Sequence, residues 1–262
     1  MKKLLLILLC LPLIGFGQLT YVPDDNFEQA LINLGYDDVL DDSVLTANIS
    51  SVTNLNIESQ NISDLTGIED FIALSTLGCS FNQLTSLDLS NNTALTGVGC
   101  QNNQLTTLDV SQNTALISIT CHANQLTTLD LSNNTALSTL GCSFNQLTSL
   151  DLSNNTALTG VGCQNNQLTT LDVSQNTALI SITCHANQLT TLDLSNNTAL
   201  STLGCSFNQL TSLDVSNGNN MAFTDFSSTN NPNLYCIDVD DPTYSTTNWT
   251  NIDSWSSFSL NC

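Results

Sequence analysis

Apolar and polar residues alternate in short runs along most of this chain, and the same run returns every 21 residues. Residues 76–95 read TLGCSFNQLTSLDLSNNTAL, in which Leu77 and Cys79 alternate with small or polar residues and Leu87 and Leu89 repeat the pattern ten positions later. A period of two is typical of a half-buried strand. The link between the two halves is too short for two helical turns. Each unit is therefore predicted to hold two short strands and no helix.

The copying of this unit predicts a solenoid. Residues 75–137 and 138–200 are identical letter for letter. Repetition at this length indicates stacked units that contact only their neighbours, with strands pairing in parallel about 4.8 Å apart. The unit brings one cysteine to the same place seven times, at Cys79, Cys100, Cys121, Cys142, Cys163, Cys184 and Cys205.

The repeat divides the chain into four predicted segments. A helix over residues 26–34, capped by Asp24 or Asp25, is expected before the repeats because Phe27 and Leu31 share one helical face. The acidic loop that follows lacks the alternating oxygens and central glycine of a calcium loop, so we interpret it as solvated. The segments are a signal peptide (1–17), an N-terminal cap (18–51), a solenoid of about eight coils (52–220) and a C-terminal cap (221–262).

The first segment predicts export. Lys2 and Lys3 precede a short apolar run that ends in small residues near Gly17, which is typical of a secretory signal peptide. The run is too short to span a bilayer as a helix, so no transmembrane segment is expected. Acylation of Cys10 is the alternative, although Leu9 stands where a small residue is expected. The mature chain is predicted to be secreted or on the cell surface.

The repeated run LxxLxCxxNxLxxLDLSxNxxL resembles the leucine-rich repeat in its short form with two nested halves, over roughly residues 52–220. Residues 52–74 are similar to a repeat of the listerial internalins. The segments VPDDNFEQAL and NPNLYCIDVDDPTYS resemble the flanks of exported leucine-rich repeat proteins of Bacteroidetes. The resemblance implies binding to proteins or other macromolecules and implies no reaction. The expected fold is mainly β, a leucine-rich repeat solenoid with two short parallel-stacked strands per coil and a cap at each end.

The strongly acidic composition limits the classes of macromolecule that the chain could bind. The chain has 23 carboxylates and only two basic residues, and both of these, Lys2 and Lys3, lie in the predicted signal peptide. A mature chain without lysine or arginine cannot displace counterions from phosphate, which excludes nucleic acid as a partner. Such a surface repels its own copies, and we expect a monomer that binds a protein or a glycan.

The cysteines fall into two groups. Those of the repeat replace an inward leucine and are predicted to be packed, inert thiols, with no ligand set for a metal. Cys236 and Cys262 lie outside the repeat and flank the closing segment of a chain predicted to be exported, where disulfides persist. We predict a disulfide between them that helps to cap the last coil; the alternative is two free thiols.

Asparagine and aspartate also recur. Two sets of asparagines, which begin at Asn82 and Asn92, are predicted to hydrogen-bond the turns of neighbouring coils. Asp88 recurs in each later coil between inward apolar residues, and a column of like charges would be relieved by bound cations. Calcium bound to this Asp column is therefore a hypothesis; no other cofactor is expected.

Differences among the repeats point to one face. The half that contains Asp88 is nearly constant, whereas non-conservative changes fall around the cysteine, at positions predicted to alternate with it and face outward. We interpret them as a binding surface on a non-catalytic scaffold; drift on an exposed face is the alternative. The candidate binding residues are Gly78, Ser80, Phe81, Gln101, Asn102, Thr120, His122, Ser143, Phe144, Gln164, Asn165 and His185.

Other functions have less support in the sequence. An acidic solenoid with a purely structural or matrix role, stiffened by calcium, remains the main alternative. The regular column of threonines that begins at Thr85 could order water as on ice, but the aspartates on the adjoining strand argue against it. An enzyme is disfavoured because Cys121 and His122 are adjacent on a strand and face opposite sides. His122 and His185 are three coils, or about 15 Å, apart and cannot share a metal.

Overall fold

A computed structural model describes residues 17–262. The predicted signal peptide, apart from Gly17, and Cys10 lie outside these residues. The strands are β1 (Leu19–Tyr21), β2 (Ser43–Leu45), β3 (Asn54–Asn56), β4 (Thr76–Gly78), β5 (Gly97–Gly99), β6 (Ser118–Thr120), β7 (Thr139–Gly141), β8 (Gly160–Gly162), β9 (Ser181–Thr183), β10 (Thr191–Asp193), β11 (Thr202–Gly204), β12 (Ser212–Asp214), β13 (Asp225–Ser227), β14 (Cys236–Asp238) and β15 (Ser257–Ser259). The helices are α1 (Asp25–Asn33), α2 (Thr46–Ile49) and α3 (Pro242–Asn248), with 3-10 turns at Ile68–Asp70 and Asn220–Ala222.

One long parallel sheet organises the molecule. Its nine strands follow the order β13-β11-β9-β8-β7-β6-β5-β4-β3, so each coil adds one strand beside the previous coil. The register joins each residue to its own copy, as in Leu77 to Val98 and Val98 to Ile119. The central residue of each strand is buried. We call this the cysteine-strand sheet, because the ladder cysteine follows directly after each strand from β4 to β9 and after β11. The solenoid fold predicted from the repeat is confirmed.

The predicted second strand is regular only near the end of the solenoid. There, β10, β12, β14 and β15 form a parallel sheet of four strands. In the earlier coils, the aspartate half forms a single isolated bridge, between Asp88 and Asp109. Shallow clefts separate these halves, such as the one bordered by Asp130, Ser149 and Asp151. These clefts lie between coils whose aspartate halves are not joined by a continuous ladder.

The interior consists of stacked leucines and cysteines. All seven ladder cysteines are buried and free, as predicted, and burial raises the pKa of the Cys79 thiol to about 12. The predicted disulfide is present: Cys236 and Cys262 are joined with their Cα atoms 5.7 Å apart. The ladder thiols are therefore packing groups, and the disulfide ties the chain terminus to β14.

The two asparagine ladders are built differently. Asn145 accepts the N–H of Leu126 through Oδ1, 3.0 Å away, and donates through Nδ2 to the carbonyls of Cys121 and Cys142. Asn155, in the other ladder, donates only, to the carbonyls of two residues of the previous coil. Within residues 17–262, nothing donates to its buried Oδ1. The first ladder thus satisfies a backbone N–H that the second does not.

The second ladder continues past the point where its spacing fails. The position one repeat after Asn197 is Gly218, which has no side chain and adopts a positive φ of 78°. Asn217 takes its place, because its Nδ2 donates to the carbonyl of Asn197 at 3.0 Å. Parallel pairing also extends beyond residue 220, through β13 to β11, with Ser228 buried at the position that follows the strand.

Both ends of the stack are covered. At the N-terminus, α1 is capped by Asp24, whose Oδ1 accepts the N–H groups of Asn26 and Phe27. At the C-terminus, Trp249 stacks on Phe226 with ring centroids 4.4 Å apart. Phe258 meets Trp249 edge-on at 5.7 Å. These contacts close the core of the last coils, as a solenoid requires of its terminal units.

We predict that Asn145→Ala destabilises the protein more than Asn155→Ala. Both side chains are buried, but only Asn145 leaves an N–H, that of Leu126, without an acceptor when it is removed. The carbonyls keep other donors in both variants. An orphaned buried N–H costs about 1–3 kcal/mol, and the difference should appear in urea unfolding. Equal losses of stability would contradict this account of the two ladders.

Candidate binding face

The outward residues of the cysteine-strand sheet form columns, because each residue stands beside its own copy in the next coil. We call the surface made by three of these columns the neutral face. The first column is Gly78, Gly99, Thr120, Gly141, Gly162, Thr183 and Gly204. The second is Ser80, Gln101, His122, Ser143, Gln164, His185 and Ser206. The third is Phe81, Asn102, Ala123, Phe144, Asn165, Ala186 and Phe207.

The structure brings all twelve candidate binding residues onto this one face. Most of them are exposed or half-buried, and the side chains of Phe81 and Phe144 are each 55% exposed. Two residues differ from the prediction, since Ser80 is 0% and Ser143 is 5% exposed. A serine is short, and the longer His122 and Gln164 flank Ser143 at the equivalent places in the adjacent coils. The alternation predicted an outward position for these serines and could not show this covering by neighbours.

The third column has an unusual backbone. Phe81, Phe144 and Phe207 have φ values between 55° and 57°, the left-handed region that asparagine tolerates and bulky residues disfavour. The turn here is shared by every coil, so Asn102 adopts the same conformation with φ 55°. Asparagine at this place was the available sequence signal for a left-handed turn. Sequence reasoning missed it, and with it the strain carried by the exposed phenylalanines.

The first column exposes bare backbone. Gly99 and Gly162 lie inside strands, and neither has a positive φ. A Cβ built on Gly99 would lie 3.4 to 3.5 Å from its nearest neighbours, an ordinary van der Waals contact. For Gly160, nothing lies within 4 Å of that point. Neither backbone conformation nor packing therefore requires glycine at these positions, although glycine weakens a strand.

His185 and His122 occupy equivalent positions but behave differently. The ring of His185 covers Gly204, where an added Cβ would collide with it. Its Nδ1 accepts the N–H of Ser206 at 3.1 Å. His122 leaves Gly141 open, since its Nδ1 lies 3.8 Å from where a Cβ of that glycine would be. The two copies thus present different surfaces.

Negative charge is kept on the other half of each coil. Between residues 71 and 224, every carboxylate belongs to the Asp column, Asp88, Asp109, Asp130, Asp151, Asp172, Asp193 and Asp214. Asp130 accepts the N–H of Ser132 at 2.9 Å, and this bond lowers the pKa of its carboxyl. The neutral face therefore carries no carboxylate across seven coils of a chain with 23 of them.

Among residues 17–262, one group of carboxylates could hold a cation by distance alone: Asp25, Glu28 and Asp42 in the N-terminal cap. Glu28 is buried, however, and its two oxygens accept the N–H groups of Asp41, Asp42 and Ser43 at 2.9 to 3.1 Å. These bonds give the carboxylate a structural task, holding the loop after α1. We assign no metal to it.

Comparison with known proteins gives the same architecture. A family model described as leucine-rich repeat matches residues 82–102 and 145–165. Internalin J of Listeria monocytogenes serotype 4b (strain F2365) is 36% identical over 73 residues, which are 28% of this chain and 8% of internalin J. The chain thus matches a small part of that relative.

Solved structures extend the likeness over most of the chain. The functional domain of InlJ from Listeria monocytogenes, which includes a cysteine ladder, has a TM-score of 0.77 at 35% identity, covering 85% of this chain and 52% of that one. The internalin InlF from strain 4b F2365 of the same organism has a TM-score of 0.75 at 21% identity, covering 91% of this chain and 68% of its own. The second likeness is one of fold alone. Among residues 17–262, no helix is long and apolar enough to cross a membrane.

We predict that acid weakens the fold through His185. Burial lowers the pKa of this histidine, and the Asp225 carboxylate opposes the effect in part. The unfolded chain then binds the proton more readily, so the free energy of unfolding falls as the pH drops through about 6.5. His185→Asn, which keeps an acceptor for the Ser206 N–H, should lose less stability between about pH 7 and pH 5. Thermal unfolding at both pH values measures this.

The matched control is His122→Asn, since His122 holds the same place three coils earlier without covering a glycine. If wild type and His185→Asn lose the same stability on acidification, protonation of His185 is not the cause.

Proposed function

Because the chain is a leucine-rich repeat solenoid, we propose that it is a non-catalytic binding protein that works outside the cell. It binds a macromolecular partner, a protein or a surface glycan, through the neutral face. The predicted signal peptide and the disulfide between Cys236 and Cys262 support export, since disulfides persist in oxidising compartments.

The observation that carries the proposal is that the neutral face holds residues in unfavourable exposure and backbone conformation. Phe81 and Phe144 expose apolar rings to water from a left-handed backbone that disfavours them. The same columns hold the residues that vary between repeats, while the rest of each coil is nearly constant. Unfavourable residues kept on one variable surface are typical of a recognition site on a rigid scaffold.

A role without catalysis agrees with the chemistry of the interior. The ladder thiols are buried, and burial raises the pKa of Cys121 to about 12. A thiol in that state is a poor nucleophile. His122 lies on the outward side of the coil, and the thiol of Cys121 lies in the core.

A second function is favoured by the Asp column: an acidic structural solenoid stiffened by calcium. Each aspartate is exposed or half-buried, and Oδ1 of Asp151 accepts the N–H of Ser153. Neighbouring carboxylates repel one another, since Asp109 and Asp151 each oppose the lowering of the pKa of Asp130. Calcium prefers such oxygens, and bound cations would remove the repulsion along the column.

We predict that Gln101→Ala, His122→Ala, Gln164→Ala and His185→Ala in one variant abolish capture of partners by the mature chain. The substitutions remove the longest polar side chains of the neutral face and leave the stacked leucines and cysteines in place, although His185→Ala also removes the acceptor of the Ser206 N–H. Capture of proteins from native cell surfaces and binding to glycan arrays measure the effect.

The matched control replaces four exposed threonines of another column with alanine: Thr106, Thr127, Thr169 and Thr190. The control should keep full capture. Full capture by the neutral-face variant as well would reject this face as the binding site.

We predict that calcium raises the melting temperature of the chelated mature chain and that Asp109→Asn, Asp130→Asn and Asp151→Asn together reduce the rise. The cations would neutralise adjacent carboxylates, and the effect should weaken at high salt. Thermal unfolding with and without calcium tests it. If calcium leaves the melting temperature unchanged, the structural alternative loses its support.

A further inference from the structure

Gly99 lies at the base of a small notch lined by oxygen atoms. The point where its Cβ would be is 3.4 Å from Oε1 of Gln101, 3.4 Å from Oγ1 of Thr120 and 3.5 Å from Oγ of Ser80. The three side chains come from three successive coils. Thr120 donates to Gln101 at 3.1 Å, which fixes two of the three oxygens in place.

The third oxygen is unused. Ser80 is 0% exposed, and within residues 17–262 no group hydrogen-bonds to its Oγ. A buried hydroxyl without a partner is unfavourable, and this one borders the open side of a glycine that the backbone does not require. The hydroxyl can donate and accept a hydrogen bond, and because its oxygen is closed to solvent, the side chain must rotate to present it to a ligand at Gly99.

The notch occurs twice. The Cβ point of Gly162 is 3.4 Å from Oε1 of Gln164 and 3.5 Å from both Oγ of Ser143 and Oγ1 of Thr183. Thr183 donates to Gln164 at 3.0 Å. The second notch thus reproduces the first one, three coils away, which is about 14 Å at the spacing of parallel strands.

An exposed aromatic residue follows the serine of each notch in the chain. Phe81 follows Ser80 directly, and Phe144 follows Ser143. The surface therefore repeats one arrangement of hydroxyl, amide and aromatic groups by translation. A folded partner without translational symmetry would use one copy only, whereas a linear polymer with a repeat of matching length would use both.

The lack of charged residues on the face indicates which class of polymer it would bind. No carboxylate lies on the neutral face, although the rest of the chain is strongly acidic. A cationic ligand would gain from carboxylates placed there, and an anionic ligand would be repelled by the molecule as a whole. Hydroxyls, amides and aromatic rings suit a neutral chain rich in hydroxyl groups, whose C–H faces stack on aromatic rings.

We propose that the two notches are subsites for one neutral linear polysaccharide, which lies across the cysteine-strand sheet. Hydroxyl groups of the polymer enter the notches at Gly99 and Gly162, and sugar rings pack against Phe81 and Phe144. The proposal rests on the proposed function of the neutral face and names the class of ligand.

The test is a variant that fills both notches, Gly99→Ala with Gly162→Ala. The added methyl groups meet only ordinary contacts, so the melting temperature should not fall. Binding of the mature chain to immobilised β-1,4-glucan, β-1,3-glucan, mannan and galactan is measured, with acidic alginate for comparison. We expect wild type to bind at least one neutral polysaccharide and not to bind alginate. The affinity of the variant for that polysaccharide should be at least tenfold lower.

The matched control is Gly97→Ala with Gly160→Ala, on the same strands but outside the notches. It should bind like wild type. Equal binding by the notch variant and wild type would overturn the proposal, as would equal losses in both variants. Oligosaccharides too short to reach both notches should bind at least tenfold more weakly than the polymer, because bridging makes the second contact intramolecular.

Failure of this inference can be separated from failure of the proposed function. If wild type binds no neutral polysaccharide but captures a protein, and the fourfold glutamine and histidine variant loses that capture, the neutral face is a protein-binding surface and the polysaccharide proposal is wrong. If wild type captures nothing by either route, both proposals are wrong.

Discussion

The structure depends on the in-register parallel pairing of successive coils. Each residue hydrogen-bonds beside its own copy, as Leu140 does beside Val161, so whatever the repeat contains becomes a column. Leucine and cysteine columns gain from this, because identical apolar side chains pack in layers. Because each coil pairs in register with the next, polar residues also stack in columns. Each polar column must lie at the surface or have hydrogen-bond partners in the interior.

The polar columns differ in how well their hydrogen-bonding groups and charges are satisfied. Asn145 is fully used, since it bonds the backbone of its own coil and of the previous one. Asn155 leaves its buried oxygen without a partner among residues 17–262. The Asp column sets like charges side by side, and only its exposure and the nearby serine N–H groups limit the cost. The same pairing rule therefore stabilises one column and strains another.

Much of this fold was predictable because a period of two and a period of 21 leave few alternatives. The inward cysteines and the parallel stack follow from periodicity. The link between Cys236 and Cys262 follows from their place outside the repeat in a chain predicted to be exported. Burial of Ser80 did not, because it depends on side-chain lengths in neighbouring coils. The left-handed turn at Phe81 was hidden because asparagine, which marks it, occupies the place only in some repeats. The sequence also could not show that the aspartate halves of the earlier coils stay largely unpaired.

On the neutral face, unlike in the rest of the molecule, some residues are not those that would best stabilise the fold. A fold selected for stability alone would place alanine at Gly99, where a Cβ meets only ordinary contacts and where glycine weakens the strand. It would place asparagine at Phe81, as it does at Asn102. Both departures occur in one patch, beside the buried Ser80 hydroxyl, which has no hydrogen-bond partner among residues 17–262, and both recur three coils later. Local costs that gather on one surface and serve no packing purpose are expected at functional sites. The proposed binding role of the face rests on this clustering more than on any single residue.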